Sequence, residues 1–251
     1  MCYYAAMPSE ADDVMDKMAA AYAACSSYRD TGVVTTTFFS GEEHIQRLLF
    51  STRFVRPDRF CFEYREQGRA GGWIQHALWL DGETVRSWWS SREAMQVHPS
   101  LQLAIAAFTG VSSSSSYNVP ALLMPELRGG VGVPRRYQLI EVAAAAAAGC
   151  LVVEETRNGM NYHRLHHWID QRSWMLRRVA SPREVLPGFT NEQIEELIRS
   201  LPSDEQMSEV ARSLRSMAGK PGPDVETIVE YGGAFDVEID PAELTFIPFA
   251  K

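Results

Sequence analysis

The sequence predicts a mainly β (α+β) fold in which a wide antiparallel sheet is covered by short helices. Apolar and polar residues alternate along 48–56 and 60–65, as expected for strands with one apolar face. The Asp81-Gly82 pair lies between two segments rich in aromatic residues, which is a strong hairpin signal. Aromatic residues recur along the other predicted strands. Core packing explains each one singly, and together they indicate a sheet curved around an apolar interior.

Composition sets limits on the class of protein. The chain has 251 residues, of which 45% are hydrophobic and 22% are charged, so it can bury a sizeable core. Its net charge of -8 argues against nucleic acid or an anionic membrane surface as the main partner. No run of about 18 apolar residues occurs, and the first ten residues lack the regions of a secretory signal.

The four cysteines are far apart in the sequence. They form no CxxC pair, which favours buried free thiols, or one disulfide if the protein is exported. Cys2 follows Met1 directly and has two interpretations. It is either the lipidated first residue of a mature lipoprotein or an ordinary residue at an artificial start of the chain.

The first predicted elements are a helix and a meander. Ser9 is placed to cap an amphipathic helix of about four turns, whose apolar stripe ends at Cys25. β-branched and aromatic residues from Thr31 to Phe39 then predict the first strand. The segments 48–56 and 60–65 predict two more strands joined at Pro57, and the hairpin at Asp81-Gly82 follows.

Arg56 is the exception to the apolar pattern. Its parity places a guanidinium at the end of the apolar row of Leu48, Phe50 and Phe54, where burial without partners is costly. It then requires acceptors, and the nearest expected ones are carbonyls at the end of a covering helix. An arginine that points to solvent beside a turn is the other interpretation.

Two short apolar segments interrupt the strands. Ser100 is placed to cap a helix over 101–108, which Gly110 ends, and residues 119–124 form a second apolar segment bounded by prolines. Ser112 to Ser116 between them is typical of a low-complexity linker. Two short helices of this composition need an apolar surface to cover.

The second half of the chain returns to strands. They are predicted over 137–142, 151–156, 162–170, 174–180, 225–231 and 244–247, with residues 143–148 as an irregular connection. Helical patterns over 190–199 and 203–217 precede the last two strands. We therefore expect one domain over 1–251, with a helical insertion at about 188–219.

No catalytic constellation is apparent. His163, His166 and His167 suggest zinc, with Cys150 or Glu154 as further ligands. Along a strand, however, the outer two histidines stand about 13 Å apart, which favours solvated histidines instead. The serines lack a G-x-S-x-G turn, the glycines form no phosphate cradle, and the carboxylates are exposed by pattern. We expect no enzyme activity, no cofactor and no metal.

Several short motifs, in order and spacing, resemble the periplasmic lipoprotein-carrier (LolA/LolB-like) family. They are CSSY at 25–28, FVRPDRF at 54–60, LDGETV at 80–85, HWID at 167–170 and DPAELTFIP at 240–248. The resemblance implies an unclosed antiparallel β-barrel that holds acyl chains under a lid of short helices, without catalysis. It also implies that Arg56 is the cavity arginine and that 101–108 and 119–124 form the lid.

The expected function is non-enzymatic binding or carriage of lipidated or acylated ligands by a monomer in the periplasm or at the outer membrane. The partners are lipoprotein acyl chains or another lipid, with an envelope protein as a further partner. The alternative is a lipid-responsive sensor of the same fold, acting through the helical insertion. The expected ligand-binding residues are Phe50, Phe54, Arg56, Phe60, Phe62, Tyr64, Leu101, Ile105, Phe108 and Leu122.

Overall fold

The computed structural model describes residues 9–39, 42–68, 71–91, 93–109, 112–128, 135–157, 163–185, 190–200, 211–212, 214–216, 218–219 and 224–248. The strands within them are β1 Ser27–Phe38, β2 His44–Val55, β3 Arg59–Gln67, β4 Trp73–Asp81, β5 Thr84–Trp89, β6 Ala94–His98, β7 Arg135–Ile140, β8 Cys150–Arg157, β9 His163–Asp170, β10 Leu176–Val185 and β11 Asp224–Phe235. The α-helices are α1 Glu10–Ala24, α2 Leu101–Thr109, α3 Ser115–Asn118, α4 Pro120–Leu123, α5 Ala143–Ala147 and α6 Asn191–Ser200. Short 3-10 helices span Pro125–Arg128 and Pro241–Leu244.

The eleven strands of the described residues form one antiparallel sheet. Its order is β6-β5-β4-β3-β2-β1-β11-β10-β9-β8-β7, so two meanders meet at the central β1–β11 pair. The edges, β6 and β7, do not pair with each other, and the barrel is therefore unclosed, as predicted. Each helix in the described ranges is too short or too polar to cross a lipid bilayer.

Helix α1 packs on the concave side of the sheet. The Ser9 side chain accepts a hydrogen bond from the Asp12 N–H, and the Asp12 carboxylate accepts one from the Ser9 N–H, which completes a capping box. The helix buries Val14, Met18 and Tyr22 at intervals of four residues, so one stripe faces the sheet. The backbone N–H of Leu176 donates to the Tyr22 hydroxyl at 3.1 Å, which ties the helix to β10.

The register of β2 and β3 builds an aromatic floor on this concave side. Phe50 lies opposite Tyr64, and Phe54 lies opposite Phe60, so the predicted parity of both strands is confirmed. In an antiparallel pair, directly opposite side chains are neighbours on one face. At Gly32 in β1, an added Cβ would overlap with the ring of Phe50, so only glycine leaves room for that ring.

Three short helices, α2, α3 and α4, cover the floor. The Ser100 hydroxyl accepts from the Leu103 N–H at 3.3 Å, in line with the predicted cap of α2, whereas Gly110 lies outside the described residues. The predicted serine linker is wrong, because Ser112, Ser115 and Ser116 are fully buried. Their hydroxyls are satisfied by one another and by the Ser112 carbonyl, so this polar segment forms the turn into α3.

The outer face of the sheet is also partly covered, although the strand pattern predicts only one apolar face. Phe246 packs on Trp79 and Trp88, with ring centroids 5.6 and 5.2 Å away. The predicted strand over 244–247 is wrong. The segment instead forms a turn, in which Asp240 caps the 3-10 helix by accepting from the Ala242 N–H. It lies across the outer face, where the Glu243 carboxylate pairs with Arg29.

Other sequence-based expectations are met unevenly. Residues 143–147 form helix α5 rather than an irregular connection, because alanine favours helix and Gly149 at φ 70° ends it. The short edge strand β6 was not predicted. In sequence, helix α6 lies between β10 and β11, which are neighbours in the sheet. Most of 203–217 lies outside the described residues, so the single domain with an insertion stays a prediction.

Three of the four cysteines lie within the described residues. Cys25, Cys61 and Cys150 are buried free thiols, as predicted, whereas Cys2 lies outside the described residues.

Candidate functional site

The structure brings all the apolar residues of the predicted ligand-binding set into one cluster between the sheet and the lid helices α2–α4. The floor strands and the lid both contribute, and most of the side chains are almost completely buried. The members are Phe50, Phe54, Phe60, Phe62, Tyr64, Ile105, Phe108 and Leu122, with Leu101 packed against them. We call this arrangement, in which side chains of α2–α4 cover the floor, the closed form. Their role in ligand binding stays a prediction.

Phe108 is the main contact between the lid and the floor. Its ring centroid lies 6.0 Å from that of Tyr64 and 5.5 Å from that of Trp89, both in edge-to-face geometry. Aromatic pairs of this kind contribute about 0.5–1.5 kcal/mol beyond the burial of their surface. Phe108 is fully buried, so any opening of α2 must remove it from this position.

His76 completes the aromatic surroundings of Phe108. Its imidazole stacks on Tyr64 at 4.5 Å and meets the Trp89 ring edge-on at 4.6 Å. Burial lowers the pKa of His76 to about 4, because the charged form is poorly solvated there. The contact region beneath the lid is therefore uncharged at neutral pH.

Arg56 joins the lid to α1. Its Nε donates to the Cys25 carbonyl at 2.8 Å, and Nη2 donates to the carbonyls of Tyr22 and Leu123, each at 3.0 Å. Leu123 ends α4, which agrees with the expectation of a carbonyl at the end of a lid helix. The two carbonyls of the α1 terminus were not predicted. A single guanidinium thus satisfies the terminal carbonyls of two helices, as the C-terminal dipole favours.

A buried carboxylate lies on the concave face of the central strands. Asp30 accepts from the Thr52 backbone N–H at 2.8 Å and from the Tyr28 hydroxyl at 2.9 Å. Burial raises the pKa of Asp30 to about 6, although the hydrogen bonds from Thr52 and Tyr28 act in the opposite direction. Asp30 is not among the predicted site residues, although its parity with Tyr28 and Val34 places it on the inner face.

The titration of Asp30 predicts a pH-dependent stability difference. The pKa of Asp30 is raised from 3.8 to about 6 in the folded state, so the folded protein holds this proton more tightly than the unfolded chain does. The resulting stabilisation of the folded state is fully present below pH 3.8 and is lost as the pH rises through 6. We expect the free energy of unfolding of wild type to fall by about 3 kcal/mol relative to Asp30→Asn between pH 3 and pH 7. Urea unfolding of both proteins measures this. A pH-independent difference would contradict it.

A second concave feature is a cavity of about 140 Å³ between α1, the helices α3 and α4, and strands β7 to β10. Its lining includes Leu122 together with Arg135, Glu155 and His167. His167 Nε2 lies 2.9 Å from Glu155 Oε2, and Arg135 Nε lies 3.5 Å from Glu155 Oε1. The expectation that the carboxylates are exposed is wrong for Glu155, which is 1% exposed.

His167 also departs from the sequence-based expectation. It is buried rather than solvated, whereas its neighbour His166 pairs with Glu154 at 3.1 Å on the opposite face of β9. Strand parity could have found the His167–Glu155 pair, because each residue shares a face with apolar neighbours. Within the described residues, no three His, Cys, Asp or Glu side chains are grouped to hold a metal ion.

A groove of about 550 Å³ crosses β1 to β4, lined mainly by outer-face residues such as Leu49, Glu63 and Arg65. Strand parity separates these three from the aromatic floor, since they point away from the lid. Phe50 and Tyr64 also line the groove, so it shares two residues with the floor.

The fold and site together define an open antiparallel half-barrel with a helical lid over an aromatic floor. Solved structures similar to this chain include a DUF1329 family protein from Desulfovibrio piger, with 11% identity over 93% of this chain and 95% of that chain and a TM-score of 0.41. MucB is similar at 10% identity over 96% of this chain and 64% of that chain, with a TM-score of 0.38. A LolA superfamily protein from Nitrosomonas europaea is similar at 8% identity over 95% and 99%, with a TM-score of 0.33.

The last of these is from the superfamily that the sequence motifs resemble. These identities and TM-scores are too low to assign a ligand or a partner to this chain. No protein-family model matches the sequence. No curated protein sequence matches it either.

Proposed function

We propose that the protein binds long acyl chains between the aromatic floor of β2 and β3 and the displaced lid helices, as a non-enzymatic carrier of lipidated or acylated ligands in the cell envelope. The observation that supports this most is the composition of the contact between lid and floor. The rings of Phe50, Phe62 and Tyr64 form a continuous surface, and the lid covers it with apolar side chains. An acyl chain can replace those side chains at little cost, because both are hydrocarbon. The envelope location rests on the sequence resemblance.

The lid is built from elements that can separate from the sheet. Helix α2 has nine residues, while α3 and α4 have four each, and isolated helices of this length are unstable in water. Their position therefore depends on contacts with the floor and on the Arg56 bond to the Leu123 carbonyl. Ligand entry exchanges these contacts for contacts with the chain.

The proposal is tested by titration with a fluorescent fatty-acid analogue. We expect saturable binding, which palmitate displaces and acetate does not, because only a long chain covers the floor. Phe62→Leu keeps the floor apolar and should retain binding, whereas Phe62→Asn places an amide under the ligand and should weaken it. The proposal fails if the probe does not bind saturably, or if acetate competes as well as palmitate does.

The empty protein should show the mobility of the lid in hydrogen exchange. We expect the amides of α2 to exchange earlier than those of α1 and the central strands, because a helix that swings away opens at low free energy. Helix α1 is the matched comparison, since it packs on the same concave side with a complete capping box. Protection of α2 equal to that of β2 and β3 would mean a static core helix.

The described part of the insertion favours a carrier over a sensor. An exposed apolar patch on the inserted helices would serve a protein partner, whereas a polar surface would not. In α6, Ile194 is buried, while Glu192, Glu195 and Glu196 are exposed. Glu195 also pairs with Arg215 at 2.6 Å, so this part of the described surface of α6 is polar.

A further inference from the structure

We infer that the edge strand β6 is an interface for a second copy of this chain, whose own β6 pairs with it in antiparallel orientation. Among the described residues, β6 pairs only with β5, so its other side is an open edge of the sheet. The backbone N–H and C=O groups of such an edge can continue the sheet into another strand. The inference departs from the sequence-based expectation of a monomer, and it does not depend on the proposed acyl binding.

The two edges of the sheet differ in their protection against pairing. Soluble proteins usually protect an edge strand with charged side chains, with proline or with a covering helix. Strand β7 begins with Arg135 and Arg136, and it packs against helix α1. Strand β6 contains no Lys, Arg, Asp, Glu or Pro, and residues 94–97 are exposed. Apart from its short length, β6 therefore lacks the features that keep an edge single.

The outer face of β6 is apolar. Met95 and Val97 are 52% and 69% exposed, which is unusual for two alternate residues of one strand. The register places Met95 opposite Trp88 of β5, and the Trp88 ring packs on Phe246 at 5.2 Å between centroids. An apolar surface thus extends from the buried cluster around Phe246 to the open edge. A surface of this kind is typical of a protein interface.

The sequence of β6 is complementary to itself. When two antiparallel copies are related by a two-fold axis through Gln96, Met95 of each copy lies opposite Val97 of the other. The four apolar side chains then share the outer face, between the Trp88 rings of the two copies. Because the same contact is made twice, the association ends at a dimer. Pairing of β6 with β7 would instead leave edges for further copies.

The charge of β6 also favours a second copy. The chain has a net charge of -8, so two copies repel each other over most of their surface. Burial lowers the pKa of His98, which is the only titratable residue of β6, so this strand is neutral at pH 7. Two acidic copies can therefore approach at this strand without placing like charges opposite each other. A five-residue strand buries less than the roughly 1,200 Å² of a stable complex, so we expect a weak dimer.

The test is sedimentation velocity of the full chain across the micromolar range without lipid. We expect the mean mass to rise with concentration toward that of a dimer. Met95→Lys and Val97→Glu should each weaken association at least tenfold, because each places a charge opposite an apolar side chain. Their equimolar mixture should restore it, since the new ammonium then lies opposite the new carboxylate. Ile45→Lys is the matched control, because Ile45 is an exposed apolar residue of β2, distant from β6 in the sheet, and it should have no effect.

Hydrogen exchange locates the contact. Amides of β6 should exchange more slowly at concentrations where the dimer forms, because they gain backbone partners. The inference is overturned if wild type stays monomeric, if it forms larger assemblies, if the mixture of Met95→Lys with Val97→Glu stays monomeric, or if exchange in β6 does not depend on concentration. It is also overturned if Ile45→Lys weakens association as much as Met95→Lys does. No acyl probe is used, so failure here leaves the acyl proposal intact.

Discussion

Arg56→Leu is expected to hold an acyl ligand about ten- to a hundredfold more tightly than wild type and to release it more slowly. In the closed form, the guanidinium donates to carbonyls of α1 and to the Leu123 carbonyl of α4. The proposed entry of a ligand displaces α4 and therefore breaks at least the last of these bonds. A hydrogen bond to a charged group contributes about 1.5–3 kcal/mol, and tenfold in affinity corresponds to about 1.4 kcal/mol. Leucine removes this preference for the empty form and adds apolar lining.

The measurement is the off-rate of a bound acyl probe. Arg59→Leu is the matched control, because Arg59 lies on the outer face, where it donates to the Pro241 carbonyl at 3.3 Å. It should release the probe at the wild-type rate. Equal or faster release from Arg56→Leu would remove the gating role of Arg56, and it would favour a purely structural link between α1 and α4.

Phe108→Ala should lower the free energy of unfolding of the empty protein by about 3–5 kcal/mol, the usual cost of removing a buried phenyl group. Phe108 is fully buried against Tyr64 and Trp89. With a saturating acyl ligand, the same substitution should cost much less, because the ring has left the floor in the bound form. The loss should therefore be ligand-dependent.

Urea unfolding with and without palmitate measures both values. Leu103→Ala is the control on the same helix, since Leu103 is 58% exposed and its truncation removes little burial. An equal loss for Phe108→Ala in the empty and the liganded protein would contradict lid displacement. It would show that Phe108 stays on the floor when ligand is bound.

The strand pattern predicts the floor of the site well. Side chains alternate with a period of two, so the parity of Phe50 with Phe54 and of Phe60 with Phe62 follows from the sequence without knowledge of the register. The partners of Arg56 could be predicted only in part. That the guanidinium needs carbonyls follows from its position, but the contribution of α1 depends on how that helix lies across the sheet, which no local pattern records.

The errors have local causes. Ser112 to Ser116 have the composition of a linker, yet their hydroxyls can satisfy one another in a tight turn, so burial costs little. The expectation of exposed carboxylates and solvated histidines fails for the buried pair of Glu155 and His167. Their parity with Val153 and Ile169 predicts the inner face instead.

Hydrogen exchange of the protein with and without saturating palmitate tests lid displacement most directly. We expect the amides of α2 and α4 to exchange faster in the complex, because the lid leaves the floor, and the amides of β2 and β3 to exchange more slowly beneath the bound chain. Saturable binding that leaves the protection of α2 and α4 unchanged would contradict it, since the ligand would then lie elsewhere on the molecule.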